Sequence, residues 1–188
     1  MAMIRLNAPL AKEDIQSLHA GDRVLLSGVI YTARDAAHAR LCAALEAGED
    51  LPVDLRGQTV FYAGPTPTPP GKACGAIGPT TSMRMDAFTP RLLRYGVNAM
   101  IGKGERGEQV RQAVMETGAV YFAAIGGCAA YMAACVEALE VVAYDDLGTE
   151  SIKRLLVRDL PLTVALDAQG GDAYAMGAES YRRMCHNP

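Results

Sequence analysis

Residues 23–47, RVLLSGVIYTARDAAHARLCAALEA, form the strand-to-helix unit that decides the fold. Residues 23–31 are rich in β-branched and apolar side chains, which predicts a buried strand. From Asp35 to Ala47 apolar residues recur at helical spacing, and Gly48 follows as a stop. The unit therefore predicts a strand that leads directly into a helix, with Asp35 as the helix cap.

Strands and helices alternate along the rest of the chain. Further strands are predicted at 59–63, 97–101, 119–125, 141–144, 152–157 and 162–166, and further helices at 86–95, 105–116, from the Gly126-Gly127 turn to about 139, and in the tail to His186. This alternation predicts an α/β fold with parallel crossovers and flanking helices. The last strands follow one another without a long helix, so we expect one mixed sheet or two sheets. No linker or repeat divides residues 1–188, which predicts a single domain.

Composition excludes several classes of protein. The 188 residues are 50% apolar and carry a net charge of −3 without a basic tail, which argues against a nucleic-acid or anionic-membrane binder. The five cysteines, among them Cys185, fit neither a disulfide framework nor a C-x-x-C metal motif. We therefore expect no metal site in this chain, thiols that pack as small apolar residues, and a cytoplasmic location. Residues 117–136 are uncharged over a membrane-spanning length, but they are rich in Ala and Gly and favour a strand, a turn and a helix.

A proline- and glycine-rich loop at 63–79 leads into GPTTSMRMD at 78–86, which carries three hydroxyls and one guanidinium. Hydroxyls, backbone N–H groups and Arg84 together predict an anion site, although a solvated turn with a helix cap has the same residues. Arg34 and Lys103 each follow a predicted strand, where open α/β sheets bind ligands. Taken singly, each is compatible with a surface charge; together, three cations suit a ligand with two carboxylates.

Two other features allow further interpretations. GKGERG at 102–107 has the spacing of a dinucleotide-binding loop, yet no carboxylate follows about 20 residues later. A standalone dinucleotide- or anion-binding module is therefore the alternative from a different class. His38 lies one turn after Arg34, where it either orients a ligand of Arg34 and titrates near neutral pH or packs in the core.

The chain resembles the β subunit of two-chain iron–sulfur hydro-lyases, the family of class I fumarate hydratase and L(+)-tartrate dehydratase. The similarity extends over almost the whole chain and is carried by LSGVIYTARDAAHAR (26–40), YAGP (62–65), GPTTSMRMD (78–86), GKG (102–104), IGGCAA (125–130) and LDAQGGDAY (166–174). The resemblance implies a swivelling β/β/α domain. It also implies a 4Fe–4S cluster, held by a partner α subunit and not by this chain, that acts as the Lewis acid in adding water to a four-carbon dicarboxylate.

The resemblance also implies roles for individual residues. Arg34, Arg84 and Lys103 would bind the dicarboxylate, and Thr80 would act as the general base. Thr81 or a bound water is the rival for the role of base, and Thr81 is also a candidate for binding the substrate. His38, from its position one turn after Arg34, is a candidate catalytic residue. A threonine hydroxyl is an unusual base, because its pKa is far from neutral and it needs help from its neighbours.

We therefore expect the β subunit of a fumarate hydratase that is inactive without its α subunit and assembles with it as a dimer of α–β pairs. The alternative within the family is the β subunit of L(+)-tartrate dehydratase, whose substrate carries an additional hydroxyl. No nucleic acid or membrane partner is expected.

Overall fold

The computed structural model describes residues 3–186, and the side chains of residues 3–184. The seven strands are β1 (Ile4–Ala8), β2 (Arg23–Thr32), β3 (Thr59–Phe61), β4 (Ala99–Gly102), β5 (Val120–Ala123), β6 (Val136–Ala143) and β7 (Ile152–Leu166). The six helices are α1 (Lys12–Ser17), α2 (Asp35–Ala47), α3 (Thr89–Tyr95), α4 (Glu108–Thr117), α5 (Ala129–Ala134) and α6 (Ala173–His186). Two short 3₁₀ helices, Ser82–Met85 and Asp145–Glu150, complete the described elements.

All seven strands belong to one mixed sheet that closes on itself. Neighbouring strands from β1 to β5 pair in parallel, whereas β7 runs antiparallel to β5, β6 and β2. Since β7 pairs with both β2 and β5, the strands β2, β3, β4, β5 and β7 form a closed ring. β1 and β6 extend the sheet outside this ring. The prediction of a mixed α/β fold with flanking helices is confirmed, and the sheet is single.

The sheet separates two apolar cores. On β3, β4 and β5 neighbouring residues alternate between the cores: Phe61 and Phe122 point to one, Val60 and Tyr121 to the other. The first core lies inside the ring and is closed by α1, α5 and the loop around Ile77. The second lies under α2, α3 and α4. The helices therefore cover the outer face of the parallel strands and leave the strand ends accessible.

The predicted helix at 35–47 is confirmed residue for residue, and Gly48 ends it in the left-handed conformation. The prediction that Asp35 caps this helix was wrong, because Arg34 occupies the N-cap position and Asp35 is the first helical residue. Neither side chain bonds back to the helix start. The N–H of Ala36 is instead bound by Glu150, from the second 3₁₀ helix, at 2.9 Å.

Two predictions for the second half of the chain were wrong. The helix expected to reach about residue 139 ends at Ala134, and Val136 begins β6, because this segment pairs with β7 along its whole length. The strands expected at 152–157 and 162–166 are a single strand, β7. The chain passes Asp159 with a positive φ of 48° while pairing with β2 continues on both sides.

Four further segments complete the comparison with the sequence. The Gly126-Gly127 turn and the tail helix to His186 are confirmed, whereas β1 and α1 were not predicted. The side chain of Cys185 lies outside the described residues. Within residues 3–186, no helix is both long and apolar enough to cross a membrane.

Candidate active site

The carboxyl ends of four parallel strands meet at one edge of the sheet, and most of the predicted site residues lie there. Arg34 follows β2 by two residues, and Lys103 directly follows β4. Because β2, β3, β4 and β5 run in the same direction, the residues after them emerge at the same edge. The fold thus brings together cations that are far apart in sequence.

The segment Thr80–Ser82 is held between the ends of β3 and β4 by backbone hydrogen bonds. The N–H of Thr80 donates to the carbonyl of Tyr62 at 2.6 Å, and that of Ser82 donates to the carbonyl of Lys103 at 2.9 Å. The N–H of Lys103 donates to the carbonyl of Thr80 at 3.3 Å. The segment therefore extends the sheet by one short bridge, which places Thr80 and Thr81 beside Lys103.

This arrangement depends on a close approach at Gly102. A Cβ at Gly102 would lie 1.9 Å from Oγ of Ser82 and 2.9 Å from the ring of Tyr62. Ser82 is fully buried and accepts a hydrogen bond from the Tyr121 hydroxyl at 2.9 Å. Its hydroxyl is therefore part of the support, and the exposed Thr81 and the partly buried Thr80 carry the hydroxyls that remain accessible at this edge.

Arg34 and Arg84 lie on either side of one carboxylate. Nε of Arg84 is 2.8 Å from Oδ1 of Asp35, and Nη2 of Arg34 is 3.8 Å from Oδ2 of the same side chain. Nη2 of Arg34 also lies 3.2 Å from Oε1 of Glu150. Each guanidinium is thus oriented by a carboxylate of the chain itself, which holds the two cations close together despite their repulsion.

Hydrogen-bonding capacity remains unused in this cluster. Nε of Arg34 and Oδ2 of Asp35 are buried without a hydrogen-bond partner. The Arg84 side chain is 52% exposed. Buried polar atoms are nearly always paired in folded proteins, so an unpaired donor beside an exposed guanidinium suits a site that binds an anion.

Lys103 reaches across the turn that follows β5. A Cβ at Gly126 would lie 3.5 Å from Cδ and 3.7 Å from Nζ of Lys103, so the ammonium lies over the IGGC turn. Its side chain is partly exposed. The third predicted cation therefore stands at the same edge as the two arginines, joined to Arg84 by the short segment 80–84.

His38 lies in the core and not at this edge. It is 1% exposed and packs edge-on against Tyr62, with ring centroids 5.2 Å apart. Nδ1 is 2.9 Å from the carbonyl of Arg34, and because a carbonyl only accepts, Nδ1 carries the proton. Burial lowers the pKa of His38 to about 4. The described contacts therefore link His38 to the backbone of Arg34, with the ring neutral at pH 7.

The GKGERG segment does not present a free helix end to a phosphate. Oδ2 of Asp86 accepts a hydrogen bond from the N–H of Gly107, the residue that precedes α4, at 2.6 Å. Oδ1 of Asp86 lies 2.7 Å from Nε of Arg106, whose side chain is fully buried between the rings of Tyr62 and Tyr121. The position that a pyrophosphate would occupy in a dinucleotide site is thus taken by Asp86, which argues against the dinucleotide alternative.

The described side chains do not fit an iron–sulfur cluster or a metal ion. Among residues 3–184 no group of three or more His, Cys, Asp or Glu side chains is arranged to hold a metal. The thiols of Cys42, Cys74, Cys128 and Cys135 are free, and three of them are buried. Burial raises the pKa of the Cys42 and Cys74 thiols, which disfavours the thiolate that a cluster requires.

Glu150 and Arg106 were not predicted from the sequence as residues of this edge. Glu150 binds Arg34 and caps α2, but it lies 114 residues from the N–H that it caps, and no local pattern indicates the pairing. Arg106 belongs to GKGERG in the sequence, whereas in the fold it forms a buried pair with Asp86 of GPTTSMRMD. Arg106 and Asp86 both lie inside distinctive motifs, and that was the signal that could have connected these two residues.

Comparison with known proteins places this chain in a defined family. A family model described as "Fumarase C-terminus" matches residues 1–177. The aerobic class I fumarate hydratase of Salmonella typhimurium is 37% identical over 175 residues, which cover 91% of this chain and 30% of that protein. A putative class I fumarate hydratase of Geobacillus stearothermophilus is 38% identical, covering 92% of this chain and 34% of that protein.

A shorter relative matches nearly end to end. The putative L(+)-tartrate dehydratase subunit beta of Methanocaldococcus jannaschii is 38% identical over 171 residues, which cover 88% of both chains. The chain thus spans about a third of the length of the fumarate hydratases it matches, but most of a separately encoded subunit. With residues 1–177 matched by the family model, this chain belongs to the Fumarase C-terminus family.

Proposed function

We propose that this chain is the β subunit of a 4Fe–4S-dependent hydro-lyase that reversibly hydrates fumarate to malate. The observation that carries the proposal is the placement of Arg34, Arg84 and Lys103 at one sheet edge. Arg34 and Arg84 share Asp35, and the segment that carries Thr80 and Thr81 pairs with Lys103. Three cations with unused donors match a small molecule with two carboxylates. The names of the relatives supply the reaction class.

The partner in this proposal is an α subunit on another chain. The match to a tartrate dehydratase β subunit over most of its length supports a two-chain enzyme, as does the one-third coverage of the fumarate hydratases. The absence of a metal-binding group among the described residues agrees with a cluster that the α subunit holds. We propose a dimer of α–β pairs, and a cytoplasmic location in keeping with the four free thiols.

In this proposal the chain's own residues bind and orient the dicarboxylate. Arg34 and Arg84 receive one carboxylate and Lys103 the other. In the dehydration direction Thr80, as the alkoxide, accepts the proton from the substrate carbon, and in hydration its hydroxyl returns that proton, with Thr81 beside it. The backbone bonds of Thr80 to Tyr62 and Lys103 fix its position relative to the ammonium of Lys103. A nearby cation lowers the pKa of a hydroxyl, which is the help that a threonine base requires.

Tartrate dehydration is the second candidate, and the Methanocaldococcus jannaschii relative favours it. Malate and tartrate share the two carboxylates and differ in one hydroxyl, so the three cations serve either substrate. The substrate must therefore be decided by assay.

The experiment that tests the function is co-expression with the α subunit encoded nearest to this chain, followed by anaerobic assay with fumarate and with L(+)-tartrate. We expect hydratase activity from the complex and none from either chain alone. Activity with tartrate but not fumarate would select the second candidate. A stable complex with an intact cluster that acts on neither substrate would contradict both.

Arg84→Ala in that complex tests the assignment of the site. We expect kcat/KM to fall by the equivalent of about 2–5 kcal/mol, because a charge-assisted contact to the substrate carboxylate is lost. Arg94→Ala is the matched control, since Arg94 pairs with Glu116 on exposed helix surface. An Arg84→Ala complex with the kcat/KM of the Arg94→Ala complex would show that Arg84 does not bind the substrate.

A further inference from the structure

Lys153 is a buried lysine that has no part in the proposed mechanism. It is the second residue of β7 and is 6% exposed. Its Nζ lies 2.9 Å from the carbonyl oxygen of Gly148, 3.2 Å from that of Thr149, 3.3 Å from that of Ser151 and 2.7 Å from Oγ of Ser151. Four oxygens of neutral groups thus surround an ammonium that has three protons to donate.

These oxygens belong to one loop whose shape brings the carbonyls together. Gly148 adopts φ 56° and ψ −113°, which interrupts the 3₁₀ helix Asp145–Glu150. Carbonyl groups that converge present their negative ends to one another, an arrangement that is unfavourable without a cation at the centre. Burial lowers the pKa of Lys153. The ammonium therefore gives up solvation to sit among converging carbonyl and hydroxyl oxygens, the ligand type that also binds inorganic cations.

The same loop carries Glu150 to the candidate active site. Glu150 lies between Thr149 and Ser151, and its carboxylate binds both Nη2 of Arg34 and the N–H of Ala36. The Thr149 carbonyl also packs against Gly64, where a Cβ would lie 2.8 Å from it and 3.3 Å from Cδ of Arg34. One side of Arg34 is thus formed by the loop that Lys153 holds.

We propose that Lys153 is a positioning residue for Arg34: its ammonium acts as a built-in cation that shapes loop 148–151 and thereby holds Glu150 against the guanidinium. The inference rests on the proposed function for the role of Arg34, and on the described contacts alone for the role of Lys153. Its effect on catalysis is indirect, because the described contacts of Lys153 are with this loop and with the neighbouring strands.

The first experiment compares Lys153→Met with Lys12→Met, the same substitution at an exposed lysine of α1. In the reconstituted complex we expect Lys153→Met to raise KM for the dicarboxylate about tenfold with little change in kcat, because a displaced Arg34 weakens binding of substrate and transition state alike. Lys12→Met should retain both constants.

A second readout does not depend on activity. The Ala36 amide is held by Glu150, so its hydrogen exchange reports whether the loop is in place. We expect Lys153→Met to speed exchange at Ala36 about tenfold while the amides of β4 and β5 stay protected. Should Lys153→Met fail to fold, Ser151→Ala provides the test of the positioning role. It removes one of the four oxygens around Nζ, so it should also speed hydrogen exchange at Ala36, but by less than tenfold.

Chemical rescue separates the cation from the packing of the side chain. In Lys153→Ala, millimolar methylammonium should restore KM and Ala36 protection, because the carbonyl cage remains. Glu150→Gln should reproduce the raised KM and not respond to methylammonium, since the cage is intact but the link to Arg34 is weakened.

The outcomes distinguish this inference from the proposed function. A wild-type complex without hydro-lyase activity would refute the function, and Ala36 exchange would still test Lys153. If the Ala36 amide exchanges at the same rate in Lys153→Met and in Lys12→Met, the positioning role is wrong. Where Lys153→Met does not fold, equal Ala36 exchange in Ser151→Ala and wild type has the same meaning. If Ala36 responds but KM does not, the loop does not position a substrate-binding Arg34, and the inference is likewise overturned.

Discussion

Arg34 and His38 lie one helical turn apart at the start of α2 and have opposite surroundings. Arg34 carries its charge at the sheet edge among Asp35, Glu150 and Arg84, whereas His38 is sealed between the helix and Tyr62. The bond from His38 Nδ1–H to the Arg34 carbonyl joins them. The neutral form of His38 is therefore part of the scaffold beneath the site, and its titration affects stability.

This difference predicts a specific dependence of stability on pH. The pKa of His38 is about 4 in the folded chain and 6.5 when unfolded, so between these values the unfolded state binds more protons. The contribution of the neutral imidazole is complete above pH 6.5 and is lost as pH falls toward 4. We expect wild type to lose about 2 kcal/mol more unfolding free energy than His38→Gln between pH 7 and pH 5, measured by urea denaturation.

His19→Gln is the control for this experiment, because His19 is exposed in the loop after α1. It should keep the wild-type pH dependence. Equal pH slopes in His38→Gln and wild type would mean that His38 is accessible to protons in the folded chain.

At the scale of elements, local sequence patterns were sufficient to predict the bounds of a segment whose own apolar periodicity mainly determines its structure. The bounds of α2 could be predicted because its apolar face, Gly48 stop and preceding strand all lie within one stretch. The division between α5 and β6 could not, since an alanine-rich sequence suits a helix and only pairing with β7 makes it a strand. In the same way, Asp159 and Pro161 indicate a break, yet β2 holds both halves of β7 in one ladder.

Glycine-to-alanine substitution should have opposite effects on stability at Gly28, where β2 contacts β1, and at Gly177 in α6. Gly28 has φ 103°, and a Cβ there would lie 2.2 Å from the carbonyl oxygen of Ala8, so Gly28→Ala should cost at least about 2 kcal/mol. Gly177 lies in α6, where an added Cβ would meet nothing within 4 Å, and Gly177→Ala should stabilise by up to about 1 kcal/mol. Urea denaturation of both variants gives the measurement, and a neutral Gly28→Ala would contradict the close contact between β1 and β2.

At the scale of the molecule, the closed ring couples the two apolar cores. Strands β3, β4 and β5 contribute side chains to both cores. If one core unfolds, the other core therefore loses the strands against which it packs. The same closure explains what the sequence could indicate about the site. The positions of Arg34 and Lys103 at this edge could be predicted because each follows a strand, and Arg84 and Thr80 lie in the distinctive GPTTSMRMD motif. Glu150 and Lys153 reach the same edge only through the pairing of β7 with β2.

This coupling predicts that residues 1–188 unfold as one domain. Leu26→Ala in the ring core and Leu41→Ala in the helix-side core remove the same atoms from two fully buried positions. Each should cost about 2–5 kcal/mol. Far-UV circular dichroism and tyrosine fluorescence should report the same single transition in both variants. Two separated transitions in either variant would show that the cores are independent.

The position of β7 in the ring has a consequence for synthesis on the ribosome. β2 and β5 both pair with β7, so each has an unpaired edge until residues 152–166 have been translated. Domains begin to fold from the N-terminus during synthesis, and unpaired strand edges are where nascent chains pair wrongly. The ring of the sheet is therefore completed only once β7 has been translated, and a molecule that recognises the finished sheet edge binds only after that point.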